Sequence, residues 1–427
     1  MRLDFVVLFF ILQGSLIIGS LAIFAERGLW RRITLFGFFL GFSLYSGVGI
    51  AYPEVPNYYL FYYFVFFFVF AISFWFFRVT FSGVSAHSGR ALNRVFSNFD
   101  SHPGWLLVIW VYVLLSLVYL VYPEFRLQLL LKPQMPDLTT LSKTIFLTQE
   151  MNYLVKLIDY TKILLTPFFY IALYRYRNRI HWAFLIVILL LYVNYIRGFY
   201  VSRGDFISSL GLLGIVLWVT RPHYRRTMII SVLALMPLML AALDLYSVIR
   251  LGRTVGEVSI LNSSLSLLES ETSFPLRVGI PIIEAGVRVN FADYIRWIVT
   301  LPLPKIFTGE IEGTRFGYQI STFVLGVSPG EKGFYAVLPG LMAESVYIYG
   351  RYFFWLHGVF VAFLAAFVVR LMERTPQLLF LQAHVVILFT YILNRGGITS
   401  LLPRLLNHYL LFYLFVFAVV FGLFRKR

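Results

Sequence analysis

The sequence lacks cysteine altogether and has few charged residues. Its 427 residues include no Cys, which excludes a disulfide framework, a thiolate nucleophile and a cysteine-bound iron–sulfur site. Only 13% of the residues are charged, whereas 59% are hydrophobic and the mean hydropathy is +0.80. Soluble domains carry about 25% charged and about 45–50% apolar residues. The composition therefore excludes a soluble enzyme and a disordered chain, and it favours an integral membrane protein.

Several motifs of soluble and metal-dependent enzymes are also missing. The chain has no P-loop, no Gly-x-Gly-x-x-Gly after a strand and no His-Glu-x-x-His. It has no Asp-x-Asp, the pair that often holds a divalent metal on a nucleotide-sugar. We therefore expect no metal and no cofactor, and no nucleic acid among the partners.

Long apolar runs fill most of the sequence. About 20 apolar residues make one helical crossing of a bilayer, and the pattern predicts eleven spans. In chain order these are 4–25, 33–52, 58–77, 104–122, 161–174, 181–196, 206–220, 228–247, 353–369, 378–394 and 406–424. The expected fold is all-α, a polytopic membrane protein with about 11 transmembrane helices.

Two long segments separate groups of spans. Residues 1–247 hold the first eight spans and an outer loop at 123–160, and residues 353–427 hold the last three. Residues 248–352 form the largest block between spans, with six prolines and apolar runs between them. This pattern is typical of an ordered cap of short helices that lie on the bilayer surface.

Cations are distributed unevenly between the two sides of this arrangement. Seventeen lie in short segments after spans 1, 3, 5, 7 and 9 and at the C-terminus: Arg27, Arg31, Arg32, Arg78, Arg90, Arg94, Arg175, Arg177, Arg179, Arg221, Arg225, Arg226, Arg370, Arg374, Arg425, Lys426 and Arg427. The short segments of the opposite side carry Arg2, Arg197, Arg203, Arg395 and Arg404. Because short cytoplasmic loops carry the excess of Lys and Arg, we predict an outer N-terminus and a cytoplasmic C-terminus.

The other cations of the 36 are not needed for orientation, and they indicate an anion at the outer face. Arginine binds phosphate oxygens in a bidentate manner, and an ionisable side chain at membrane depth marks a functional site. Our candidates for binding a diphosphate are Arg203, Arg250, Arg253, Arg288, Arg395 and Arg404. The alternative for arginines of the large loop is solvation or pairing with nearby carboxylates.

A reaction at this face would require a general base close to the arginines. The candidates are Glu344, His408, Glu284 and Asp293. Glu344 lies in an apolar segment before the ninth span, where burial raises the pKa of a carboxyl group unless a cation such as Arg351 pairs with it. His408 follows Arg404 by four residues, a spacing that places both on one face of a helix.

Four short stretches in this order are similar to those of a known family. They are Val201-Ser-Arg203-Gly-Asp-Phe-Ile; Tyr246-Ser-Val-Ile-Arg250; Leu301-Pro-Leu-Pro304-Lys followed by Val337-Leu-Pro339-Gly-Leu-Met-Ala-Glu344-Ser-Val-Tyr347-Ile-Tyr-Gly350; and Asn394-Arg395-Gly-Gly with Arg404 nine residues on. Over roughly residues 195–424 the chain resembles the Wzy-type oligosaccharide repeat-unit polymerases, which build O-antigen and enterobacterial common antigen.

The resemblance implies a metal-independent glycosyltransferase of the bacterial inner membrane, with an all-helical architecture like that of the GT-C class. The growing glycan on undecaprenyl diphosphate would be the donor, and a new lipid-linked repeat unit would be the acceptor. The arginines would bind the departing diphosphate. The lipid bilayer and a chain-length regulator protein are further implied partners.

Other functions remain open from the sequence, among them a non-catalytic scaffold. An O-antigen ligase uses similar chemistry, but we expect a catalytic histidine in its outer loop, and residues 248–352 contain none. A transporter or flippase of lipid-linked sugars belongs to another class. Transporters often show internal repeats and midplane ionisable residues, whereas this chain has no evident repeat.

Overall fold

The computed structural model describes residues 56–81, 149–198, 203–250, 278–301, 315–328, 337–373 and 375–420, together with residue 331 and scattered positions between 90 and 114. Spans 4–25 and 33–52, nearly all of 104–122, and most of the 123–160 loop lie outside the described residues. So do 251–277 and 302–314 within the large loop.

All regular structure in the described residues is helical, which confirms the all-α expectation there. The helices are α1 Asn57–Thr80, α2 Gln149–Tyr176, α3 Ile180–Gly198, α4 Arg203–Thr220, α5 Arg225–Arg250, α6 278–285, α7 Phe291–Thr300, α8 Arg315–Leu325, α9 Gly340–Phe353, α10 Trp355–Glu373, α11 Leu379–Ile387, α12 Leu393–Asn407 and α13 Leu410–Val420. A π-helical turn, Leu388–Ile392, joins α11 to α12.

Within the part of the chain that the structure describes, two helical stretches are long and apolar enough to cross a membrane: Phe61–Thr80 and the run Pro376–Asn407. Pro222–Val232 and Ala234–Leu245 meet at 55° and make a third if counted as one span. Pro237 explains this bend, because a proline inside a helix removes a hydrogen bond and displaces the carbonyl four residues earlier. Shorter apolar stretches coincide with predicted spans 5, 6, 7, 9 and 11. The total of eleven stays a prediction.

The chain divides into two compact units. Among the described residues the first unit holds α1, α6 to α10 and Val385–Asn407. The second unit holds α2 to α5, Gln377–His384 and α13. The elements that carry Glu344, Arg288 and Arg395 all belong to the first unit.

In the first unit α1 packs along α10. A stripe of aromatic side chains on α1 is buried, at the helical spacing of three and four residues: Tyr59, Tyr63, Phe66, Phe70 and Phe74. Gly358 of α10 lies close to α1, since a methyl group on Gly358 would lie 3.2 Å from the carbonyl oxygen of Phe66. Small residues at a helix interface let two backbones approach closely. The opposite side of α1 exposes Phe68, Trp75 and other large apolar groups, as expected for a lipid-facing surface.

Short helices also occur in the described parts of the segment 248–352. Of these, α7 buries Tyr294 and Trp297 and exposes Phe291, Ile295 and Val299. Asn290 caps α7, since its side chain accepts a hydrogen bond from the Ala292 N–H at 3.0 Å. Both α7 and α12 pack against α9, and α9 is buried along nearly its whole length from Gly340 to Gly350.

In the second unit α2, α3 and α4 pack in sequence, and α13 lies against α2. Its interior is formed by Phe169, Ala172, Ile186 and other apolar residues. His384 of the predicted tenth span stacks on the Tyr170 ring, with ring centroids 4.7 Å apart.

Candidate functional site

Glu344 belongs to the first unit and is fully buried. Its Oε1 accepts a hydrogen bond from the Thr399 backbone N–H at 2.8 Å, and its Oε2 accepts one from the Ile398 backbone N–H. Arg351, the cation that the sequence offered as a partner, donates instead to the carbonyl oxygens of Ile283 and Glu284. Glu344 is therefore held by the backbone of α12.

The backbone of α12 is broken where the Glu344 carboxyl group meets it. Gly397 has φ 69° and ψ −167°, so the helical path stops there and resumes at Ile398. A side chain at Gly397 would collide with the Glu344 carboxyl group. Only glycine satisfies both this left-handed φ and this close approach. The Arg395-Gly396-Gly397 signature and Glu344, taken as separate motifs in the sequence, thus meet in one contact.

His357, in the first turn of α10, is a neighbour of Glu344 that the sequence analysis missed. It is fully buried, and its Nε2 lies 3.7 Å from Glu344 Oε2. Neither ring nitrogen has a hydrogen-bond partner among the described residues. The ring meets the Tyr349 ring edge-on, with centroids 5.5 Å apart. The sequence did contain a signal for His357, because it is an ionisable residue inside the predicted span 353–369, where such residues often have a function.

Burial also sets the ionisation of the groups around Glu344. Desolvation raises the pKa of the Glu344 carboxyl group to about 7, and the hydrogen bonds from Thr399 and Ile398 oppose that rise. Burial, with the nearby Glu344 charge as a smaller cause, raises the pKa of Tyr349 to about 12 and that of Tyr294 further. Glu344 therefore changes its charge near neutral pH, whereas both tyrosines stay protonated.

Arg395 lies on the other side of the break, just before the two glycines. Its Nη1 donates a hydrogen bond to Tyr391 Oη at 2.9 Å, and its guanidinium carbon lies 5.8 Å from the centre of the Tyr391 ring. Tyr391 belongs to the π-helical turn Leu388–Ile392. Such turns are frequent at functional sites. The side chain is half-buried within an apolar helical run that continues to Asn407, whereas the sequence analysis placed Arg395 in a short segment between two spans.

A second broken helix involves Arg288. Gly350 has φ 78° and ψ 172° inside α9. The Arg288 guanidinium fills the space where a side chain of Gly350 would lie. Arg288 itself is solvent-exposed. Gly397 and Gly350 are thus each covered by a charged side chain that the sequence analysis selected.

The other predicted carboxylates are accessible. Glu284 is exposed at the end of α6, where it accepts a hydrogen bond from Tyr58 Oη at 3.3 Å. Asp293 is exposed in the first turn of α7, 3.8 Å from Arg296. No group of three or more His, Asp and Glu side chains in the described part of the chain is close enough to hold a metal ion.

The remaining candidates are distributed over both units. Arg404 is half-buried in the last turn of α12, in the first unit. His408 lies in the turn after that helix and belongs to the second unit. Arg203 begins α4 and Arg250 ends α5, also in the second unit. The side chains of Arg203 and Arg250, and all of Arg253, lie outside the described residues.

Comparison with protein-family models, with curated proteins and with solved structures finds no match to this chain.

Proposed function

We propose that this chain is a polysaccharide polymerase of the bacterial inner membrane, with about eleven transmembrane helices, an outer N-terminus and a cytoplasmic C-terminus. It transfers a growing glycan from undecaprenyl diphosphate to a new lipid-linked repeat unit at the outer face. The observation that carries the proposal is the break in α12, which holds Arg395 half-buried inside an apolar helical run and directly before the break.

An arginine in that position has a clear chemical use. An ionisable side chain within an apolar helical run marks a functional site by default. A diphosphate offers oxygens that match the guanidinium fork. When the glycan leaves its carrier, negative charge develops on the diphosphate, and a fixed cation stabilises that charge.

The reaction needs one bond formed and one broken. A hydroxyl of the acceptor's non-reducing sugar loses its proton to a base, and its oxygen bonds to the anomeric carbon of the donor glycan. The bond from that carbon to the diphosphate oxygen breaks, and undecaprenyl diphosphate leaves with the electron pair. Glu284 and Asp293 are exposed carboxylates, so an acceptor hydroxyl can reach them, and His408 remains a third candidate base.

The break in α12 also favours a second function, a transporter of lipid-linked sugars. Discontinuous helices frame the substrate sites of many transporters. The two functions differ in product, because a transporter moves the lipid-linked unit without changing its length. An O-antigen ligase would need a lipid A core as the acceptor.

The test is a reaction of purified full-length protein in nanodiscs with an undecaprenyl-diphosphate-linked repeat unit, without nucleotide or lipid A core. A polymerase yields a ladder of longer glycans. We expect Arg395→Ala, Arg203→Ala and Arg404→Ala each to reduce chain growth about 100-fold or more. Arg395→Lys should also be impaired, because lysine cannot bind in a bidentate manner.

Arg226→Ala is the matched control, since Arg226 is exposed at the start of α5 and belongs to the predicted cytoplasmic set. It should leave the ladder unchanged. Normal ladders from all three site variants would reject the proposed diphosphate site. If the wild-type protein leaves the substrate unextended, the proposal that it is a polymerase is rejected.

A further inference from the structure

The second half of α12 begins anew after Gly397, and its first amide groups need acceptors. The first N–H groups of a helix have no partner within that helix, and they carry the positive end of the helix dipole. An external anion is often bound at such an end. Here the Glu344 carboxyl group already accepts from Ile398 and Thr399.

This arrangement depends on three elements. Glu344 comes from α9, which is buried almost throughout. Gly397 leaves the space that the carboxyl group occupies. Arg395 lies two residues before Gly397, so the direction of the chain at the break also fixes where the Arg395 side chain begins.

We propose that Glu344 is a positioning residue. Its carboxyl group is the fixed acceptor for the first amide groups of α12 after Gly397. Because these amide groups are occupied, the diphosphate is bound by Arg395 and not by them. This inference rests on the proposed function, because it assigns parts within the same site. It also removes Glu344 from the candidate bases.

The surroundings of Glu344 support positioning over proton abstraction. A general base must come within hydrogen-bond reach of the substrate hydroxyl. Glu344 is fully buried, and each of its oxygens already accepts a backbone N–H. The titratable groups around it are His357 of α10 at 3.7 Å, Tyr294 of α7 and Tyr349 of α9. The substrate would have to displace the start of the second half-helix to reach the carboxyl group.

The decisive variant is Glu344→Gln. Its side chain has the same shape but turns one acceptor into a donor, which then faces a backbone N–H. Glu331→Gln is the matched control, since Glu331 also accepts a backbone N–H, from Ser328 at 2.7 Å, but in an exposed turn. Both variants are studied as full-length protein in nanodiscs.

Two measurements are compared. The first is amide hydrogen exchange of residues 396–402, which should become at least about 10-fold faster in Glu344→Gln and stay unchanged in Glu331→Gln. The second is polymerisation kinetics. We expect KM for the lipid-linked unit to rise about 10-fold or more, and the pH dependence of kcat to keep its wild-type shape. If Glu344→Gln does not accumulate, Glu344→Asp replaces it, because the shorter side chain also loses these contacts.

Arg395→Ala tests diphosphate binding separately from the order of α12 after Gly397. It should weaken binding of undecaprenyl diphosphate while exchange of residues 396–402 stays at the wild-type rate. Unchanged exchange in Glu344→Gln would overturn the proposal. So would a loss of kcat at unchanged KM together with loss of a limb of the pH profile, since that result identifies a base. A wild-type protein that makes no polymer rejects the proposed function alone, and the exchange comparison still decides the role of Glu344.

Discussion

At the residue scale, the missing side chains of Gly397 and Gly350 allow a charged group to pack against each helix break. At Gly397 the missing side chain leaves space for the Glu344 carboxyl group, and at Gly350 it leaves space for the Arg288 guanidinium. Both residues have φ near +70 to +80°, a region that side chains other than glycine rarely adopt. The sequence marks these positions only as glycines close to a charged residue. Their structural meaning lies in contacts with residues more than fifty positions away in the chain.

Replacing Gly397 with alanine should destabilise the first unit. The substitution strains a left-handed φ and forces the Glu344 carboxyl group away from Ile398 and Thr399, at a cost of about 1–3 kcal/mol. The measurement is the thermal midpoint in detergent, followed by the polymerisation assay. Gly214→Ala is the control, because nothing lies within 4 Å of the added methyl group in α4. There we expect stabilisation of about 0.5–1 kcal/mol, and equal effects of the two variants would refute the account.

The ionisation of Glu344 predicts a pH-dependent stability. Burial raises the pKa of this carboxyl group in the folded protein to about 7, above its ordinary value of 4.5. The folded state therefore holds a proton that the unfolded chain releases at lower pH. The stability that this proton on Glu344 contributes is fully present below about pH 4.5, and it is lost as the pH rises through about 7.

This loss is measured as the thermal midpoint of the wild-type protein minus that of Glu344→Gln, between pH 5 and pH 8. The difference should fall by a few degrees with rising pH, because glutamine does not titrate. Glu331→Gln supplies the baseline for an exposed carboxylate. A constant difference across that range would show that Glu344 ionises at an ordinary pKa.

At the scale of elements, the segment around α6 is joined to the buried helix α9 by hydrogen bonds. The Val289 N–H donates to the Tyr347 carbonyl oxygen at 3.0 Å. Arg351, at the end of α9, donates to the last carbonyl groups of α6, at Ile283 and Glu284. The final carbonyls of a helix have no partner within it, so this arginine completes α6 from outside. Arg351 therefore stabilises the end of α6.

Arg351→Ala should loosen α6 while α12 remains intact. Loss of these hydrogen bonds, discounted for the exposure of Arg351, amounts to about 1 kcal/mol. We expect hydrogen exchange in residues 283–289 to rise about fivefold, with no change in residues 396–402. Arg296→Ala is the control, since Arg296 is exposed and only 3.8 Å from an exposed Asp293. Faster exchange at residues 396–402 in Arg351→Ala would contradict the expectation that Arg351 stabilises α6 and not α12.

At the scale of the whole molecule, the charge asymmetry predicts how the chain is oriented. We predict that the 36 cations behind the net charge of +16 divide into a cytoplasmic group and a second group at the outer face. The first group follows from the positive-inside rule. The second group includes Arg288 and Arg395, whose side chains cover or adjoin helix breaks.

Reporter fusions test this orientation in cells. A fluorescent protein after Arg427 should fluoresce, and alkaline phosphatase at the same position should be inactive. Alkaline phosphatase inserted near residue 300, in the large loop, should be active. Phosphatase activity at the C-terminus would reverse the orientation and place the seventeen cations outside.

The sequence assigned 395–405, most of α12, to a segment between two spans. By itself it determined the helical class and the positions of α1 and α10. These follow from local patterns, since apolar run length and helical periodicity are properties of neighbouring residues. It also selected Glu344, Arg288, Arg395 and the glycines beside them. It did not connect them, and it missed His357.

Only the tertiary structure brought Glu344 onto the break at Gly397, Arg288 onto Gly350 and His357 beside Glu344. The contact between Glu344 and Thr399 spans 55 residues of chain, and no periodicity relates positions so far apart. Such a contact is selected by the burial of α9 against α12 and by the need of buried amide groups for an acceptor. These two conditions act only once the helices have packed.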